Sequence, residues 1–150
     1  MEFKRVKPQT VFSETMTTTL RQIVQYVGTT PARLLSEAIE AGFEPCAPQI
    51  WLYEGATGNP DEAFQLTIAI PVEDNDQAHP KLQKLEAFYC AEKEVQGSWE
   101  QFVSIYPEFI GHLMGQKKEL SNVCREVYHE VDFDQPANNR TAIQIGLKEN

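Results

Sequence analysis

Hydrophobic residues recur at two different spacings along this chain, and the changes between them mark its elements. In "TTPARLLSEAIEAGFEP" the apolar positions Leu34, Leu35, Ala38 and Ile39 follow helical spacing and predict one buried helix face. Thr29 or Thr30 can cap this helix, Pro31 suits its first turn, and Gly42 followed by Pro45 ends it. Ahead of it, "KPQTVFSETMTTTLRQI" is rich in Val, Phe and Thr and predicts a strand running into a polar connection. After it, "PQIWLYEG" and "FQLTIAIPV" alternate as strands do, joined by the turn-rich "GATGNPDE". The order is strand, helix, strand, strand.

The second half repeats that order. "LQKLEAFYCAEKEV" predicts a strand, and "GSWEQFVSIYPEFIGHLMGQ" a helix through Phe102, Ile105, Phe109 and Leu113. Ser98 and Gln101 form a capping-box pattern, while Pro107 predicts a kink or break. "NVCREVYHEV" and "NRTAIQIGLKEN" are the last two strands, with "DFDQPAN" between them. At an offset of 75 residues Tyr53 falls on Tyr128, Ile68 on Ile143 and Ile70 on Ile145, with Trp51 opposite Glu126. The pattern therefore predicts an α+β domain built as a tandem duplicated β-α-β-β. Its halves, about 1–75 and 76–150, are related by an approximate two-fold axis, with antiparallel sheets around a central groove. "EDNDQAHPK" between them reads as a solvated acidic linker.

Strand parity then locates candidate chemistry. In "VCREVYHEV" the valines at 123, 127 and 131 suit a face covered by helices, which leaves Cys124, Glu126 and Tyr128 on the other. Trp51 and Tyr53 hold the corresponding face of "IWLYE". Facing one another across the axis, these aromatics and one carboxylate would line a concave, mostly apolar pocket. Trp99 and Phe102 read as core residues, with Trp99 able to close one end of the groove and Tyr106 able to reach it from the helix. Glu54 has the opposite parity and reaches solvent; His129 shares the valine face as a packed or edge residue. The residues alone leave Glu126 two readings, a pocket anchor or a salt-bridge partner on an open sheet face.

Composition narrows the functional classes. With 150 residues, 41% hydrophobic and 23% charged, the chain is expected to form one globular domain. A net charge of −9 disfavours a nucleic-acid surface, which needs clustered Lys and Arg. The one basic cluster, Lys4, Arg5 and Lys7, reads as a solvated arm, and no helix-turn-helix pattern is present. No signal-peptide run and no stretch near the about 18–20 apolar residues of a membrane span is seen. Cys46, Cys90 and Cys124 show no metal spacing and read as reduced core thiols in a cytosolic protein. His79, His112 and His129 are widely separated, so neither a metal nor another cofactor is expected.

"IWLYEG", "FQLTIAIPV", "GSWEQF", "REVYHEVD" and "NNRTAIQIGL" together resemble the gyrase-inhibitor-like family, also called AraC-type effector-binding domains. The resemblance covers nearly the whole chain and is strongest in the C-terminal segments. It implies a single effector-binding domain over 1–150, with a duplicated β-α-β-β fold and a groove for small molecules. In multidrug-responsive members a buried glutamate and surrounding aromatics hold lipophilic cations. Glu126 and Tyr128 match the family's Glu-x-Tyr, and Trp51 and Tyr53 occupy the aromatic strand of the first half. Many members join the module to a DNA-binding domain; the stand-alone form expected here makes any role in transcription or drug response indirect.

Three functions follow from the resemblance. The first is a non-catalytic module binding lipophilic, aromatic or cationic ligands. The second is a hydrolase of small electrophiles, in which Glu126 activates water or attacks and Tyr128 donates a proton. The third is a protein-interaction role using the acidic surface.

Overall fold

The computed structural model describes residues 1–149, with side chains at all of these except 26 and 27. Eight strands run in chain order: β1 (Glu2–Val6), β2 (Gln9–Thr18), β3 (Gln49–Glu54), β4 (Phe64–Pro71), β5 (Leu82–Leu85), β6 (Phe88–Gln96), β7 (Leu120–Glu130) and β8 (Arg140–Leu147). A short helix α1 (Val24–Val27) and a longer α2 (Thr30–Glu40) separate β2 from β3, and α3 (Phe102–Gly115) separates β6 from β7. All eight strands form one antiparallel sheet in the order β1-β6-β8-β7-β3-β4-β2-β5. The order thus runs β5-β2-β4-β3 from one edge and β1-β6-β8-β7 from the other, with β3 and β7 paired at the centre.

Helix α2 buries Thr30, Leu34 and Ala38, and Leu34 and Ala38 pack with Phe12, Leu66 and Ile68 of the sheet. The i, i+4 line of these three faces inward, so Leu35 and Ile39, expected on the buried face, stay exposed at 39% and 57%. Helix α3 presses Phe109 and Leu113 against Ala91, Val95, Ile143 and Ile145. Each such large apolar side chain contributes about 1.5–3 kcal/mol by leaving water. On the opposite face a smaller cluster of Val11, Ile50, Leu52, Ala69 and Leu85 packs with Val127.

The helices therefore stand on the Cys124–Glu126–Tyr128 face, not on the valine face expected from parity. Cys124 packs into the α3 cluster and Tyr128 into the α2 cluster, whereas Val127 belongs to the far side. The physical reason is that α2 and α3 cover the outer strands of their own halves. The central strands β3 and β7 lie in the strip between them, and both sheet faces carry buried apolar residues, so parity alone does not choose the helix side.

Other local expectations also shift. "LQKLEAFYCAEKEV" splits at Glu86–Ala87 into β5 and β6, which pair with different neighbours. The basic arm is edge strand β1, and Lys4 bonds Glu92 at 3.2 Å. Helix α3 runs through Pro107; the hydrogen bond Pro107 cannot donate would go to Val103, which is 85% exposed and leaves that carbonyl to solvent. Ser98 accepts from the Glu100 N–H, but Gln101 turns back to the Gln96 and Ser98 carbonyls, so half the capping box forms. Thr29 stands at the N-cap of α2 but makes no side-chain cap bond, and Thr30 is the helix's first residue, whereas Gly42 follows the helix end at φ 92°. Cys46 is exposed rather than in the core, and Cys90 is buried. The linker is exposed over 73–78, but its end is tied down by Lys81 to Glu14 and Glu37.

Candidate functional site

Because β3 and β7 pair with Trp51 opposite Glu126, residues of like parity on both strands project into the strip between the helices. Tyr53 stands opposite Cys124 and Tyr128 opposite Gln49 in the same ladder. Glu126 is 6% exposed, and its carboxylate accepts three phenol hydrogen bonds. Tyr53 donates to Oε1 at 3.0 Å, Tyr128 to the same oxygen at 2.5 Å, and Tyr106 of α3 to Oε2 at 2.6 Å. Three separated segments thus converge on one acid. None of the ion pairs among the described residues includes Glu126, so the reading of it as a salt-bridge partner on an open face is overturned.

Aromatic rings surround this centre. The Trp51 and Tyr128 rings meet edge to face at 5.8 Å, and Trp99 meets Tyr128 at 5.6 Å from the other side. The Trp99 indole N–H donates to Thr141 at 3.1 Å, and that of Trp51 to Gln49 at 2.6 Å, so both rings are held by their polar ends. The geometry brings together Glu126, Tyr128, Trp51, Tyr53, Trp99 and Tyr106. Two neighbours escaped the sequence reading. Phe64 stacks on Tyr53 at 5.7 Å, and Phe133, 67% exposed on the β7–β8 connection, meets Trp99 at 6.1 Å. Phe64 was legible as a strand residue of the right parity; a loop residue such as Phe133 carries no periodicity to place it.

Burial pushes the Glu126 carboxyl above its ordinary value, opposed by the hydrogen bonds from Tyr106, Tyr128 and Tyr53. The three phenols are raised well above theirs, first by burial and then by the adjacent carboxylate. Every phenol therefore stays a donor at neutral pH, and Glu126 is the group in the cup that can change charge. The side chains close over the carboxylate in this conformation. Two surface cavities lie elsewhere, one of about 400 Å³ beside Arg5 and Lys117 and one of about 290 Å³ on the far sheet face beside Gln144, and Glu126 lines neither. Among the described residues no group of three or more His, Cys, Asp or Glu is arranged to hold a metal, and no helix is long and apolar enough to cross a membrane.

No protein-family model matches the chain, and no curated protein matches it by sequence. Solved structures do share its fold. The EcmrR C-terminal domain superposes with a TM-score of 0.80 at 15% identity, over 99% of this chain and 97% of that one. In the EcmrR–DNA complex the chain spans 57% of the full EcmrR chain. SAV2435 bound to tetraphenylphosphonium superposes at 0.64 with 19% identity, covering 99% and 94% of the two chains. A hydrolase from Listeria innocua superposes at 0.53 with 8% identity, covering 98% and 92%. The chain thus shares its α+β fold with these structures.

Proposed function

We propose that this chain is a small-molecule-binding module of the gyrase-inhibitor-like, AraC-type effector-binding kind, and that its ligands are lipophilic aromatic cations. The observation that carries the reading is Glu126: a buried carboxylate inside an aromatic cup, held by three phenols and, among the described residues, in no ion pair. A buried anion without a counter-ion is costly, and a cation supplies the missing partner. Trp51, Trp99 and Tyr128 add ring faces, each attracting a cation by about 0.5–2 kcal/mol. Selection by one charge and several flat rings tolerates many ligand shapes. The fold shared with a protein bound to tetraphenylphosphonium supports the same ligand class.

Entry of a ligand requires the phenols to swing off the carboxylate, and Phe133 and Trp99 mark the exposed side from which it comes. The mirrored strand order supports reading the two halves as copies about an axis between Trp51 and Glu126. A regulatory role would run through a DNA-reading partner, since the net charge of −9 is unsuited to phosphate contact. Titration with tetraphenylphosphonium tests the binding reading. Tryptophan fluorescence should quench saturably, and Glu126→Gln should weaken affinity by about ten-fold or more while the fold persists. Equal affinity in that variant removes Glu126 from the site.

A second reading is favoured by the 2.5 Å Tyr128–Glu126 hydrogen bond and the 2.6 Å one from Tyr106. It makes the cup a hydrolase of small electrophiles, with Glu126 attacking or activating water and Tyr128 protonating the leaving group. Turnover across an electrophile panel, lost in Glu126→Gln, would establish it; strong cation binding with no turnover would exclude it.

A further inference from the structure

We propose that Phe133 is the specificity-determining residue of the aromatic cup: with Trp99 it forms an outer clamp that selects cations carrying aryl rings over alkyl cations of equal charge. This rests on the reading of the cup as a cation site and adds the residue that chooses among cations. Edge-to-face contacts run in file outward from the interior, Trp51 to Tyr128 at 5.8 Å, Tyr128 to Trp99 at 5.6 Å and Trp99 to Phe133 at 6.1 Å. Exposure rises along that file, from 5% at Trp51 to 67% at Phe133. Tyr128, inside it, donates to the Glu126 carboxylate at 2.5 Å. The file therefore joins the charged centre to solvent, and Phe133 is its outer end.

A single exposed aromatic calls for no explanation by itself. This one is fixed in place by the polar groups of the β7–β8 connection. Asp132 Oδ1 accepts the Asp134 and Gln135 N–H groups at 3.0 and 2.9 Å, and its Oδ2 accepts from the Asn138 side chain at 3.2 Å. The Asp132 N–H donates to Oδ1 of Asn139 at 2.7 Å, and Asn139 is only 3% exposed. The Asn139 carbonyl in turn accepts the Gly97 N–H at 2.8 Å, which ties this connection to the one that carries Trp99. Both jaws of the clamp therefore hang from Asn139, and Asp132 is the positioning residue for Phe133. The exposed Phe133 ring can turn outward without opening the core, so an aryl ring can take its place against Trp99 and be covered by it. An aromatic pair adds about two- to ten-fold in affinity beyond the area it buries. An alkyl chain in the same place gains the area alone.

Calorimetric titration of the full chain with tetraphenylphosphonium and tetrabutylphosphonium tests this, since the two share the charged atom and differ in their rings. Phe133→Leu keeps apolar bulk without the ring. It should weaken tetraphenylphosphonium by about five-fold and leave tetrabutylphosphonium within about two-fold, and Phe133→Tyr should retain the natural ratio. The positioning role has a reading in the ligand-free protein. With Trp51→Phe leaving Trp99 as the one tryptophan, Asp132→Ala should raise acrylamide quenching of Trp99, because Phe133 loses its seat. An unchanged ratio of the two affinities in Phe133→Leu overturns the proposal, as does unchanged quenching in Asp132→Ala. Loss of both cations in Glu126→Gln beside an unchanged ratio in Phe133→Leu keeps the cup and removes the clamp, whereas binding of neither cation by the natural protein removes both.

Discussion

A carboxylate taken out of water loses hydration worth several kcal/mol, and Glu126 recovers part of that from three phenols. Burial outweighs the phenols and pushes the Glu126 carboxyl up from its ordinary value. The sign for stability follows from that direction. With the folded value above the unfolded one, the contribution of Glu126 is fully present below the unfolded value and is lost as pH rises through the folded one. Glu126→Gln should therefore gain on the natural protein as pH rises through that window, measured as the difference in urea midpoint at successive pH values. Tyr106→Phe removes the bond to Oε2 seen in the structure and should cost about 1–3 kcal/mol in the same unfolding experiment. At this scale the sequence was informative where parity applied. Glu126, Tyr128, Trp51 and Tyr53 share a face because alternate residues of a strand must, whatever covers them. Which cover they meet depends on where the helices land, and that was misjudged from the valines.

Among the elements, β7 shows what periodicity does not capture. Its ladder with β8 shifts between Leu120 and Cys124, where Asn122 adopts φ 66°. The irregular backbone turns toward Gly146, where an added Cβ would lie 2.5 Å from the Val123 carbonyl oxygen and 2.8 Å from Phe88. Backbone cannot retreat as a flexible side chain can. Gly146→Ala should destabilise the protein by about 1–3 kcal/mol, read by thermal or denaturant unfolding, whereas Gly28→Ala meets nothing within 4 Å and should be tolerated. Helix α2 and strands β3 and β4 were legible from spacing and end signals. The β5–β6 break was not, because no Gly, Pro, Asn, Asp or Ser marks a turn at Glu86–Ala87, and β1 was hidden by the charges that suit an edge strand.

At the scale of the whole molecule, one eight-stranded sheet carries α2 and α3 on one face and puts its central strands between them. The 75-residue offset predicted strand, helix, strand, strand in each half, whereas in the structure two strands, not one, precede the long helix of each. It could not show that both halves join a single sheet, which depends on β3 pairing with β7 across the centre. That pairing sets Trp51 beside Glu126 and makes the middle of the fold the place where charge and aromatic rings meet. The most direct test is the affinity for tetraphenylphosphonium as a function of pH, because this cation has no titrating group of its own. The expected result is affinity that rises as pH passes upward through the raised Glu126 value and then levels off, with a flat profile in Glu126→Gln. The same pH profile in both proteins would contradict the assignment of Glu126 as the group that receives the cation.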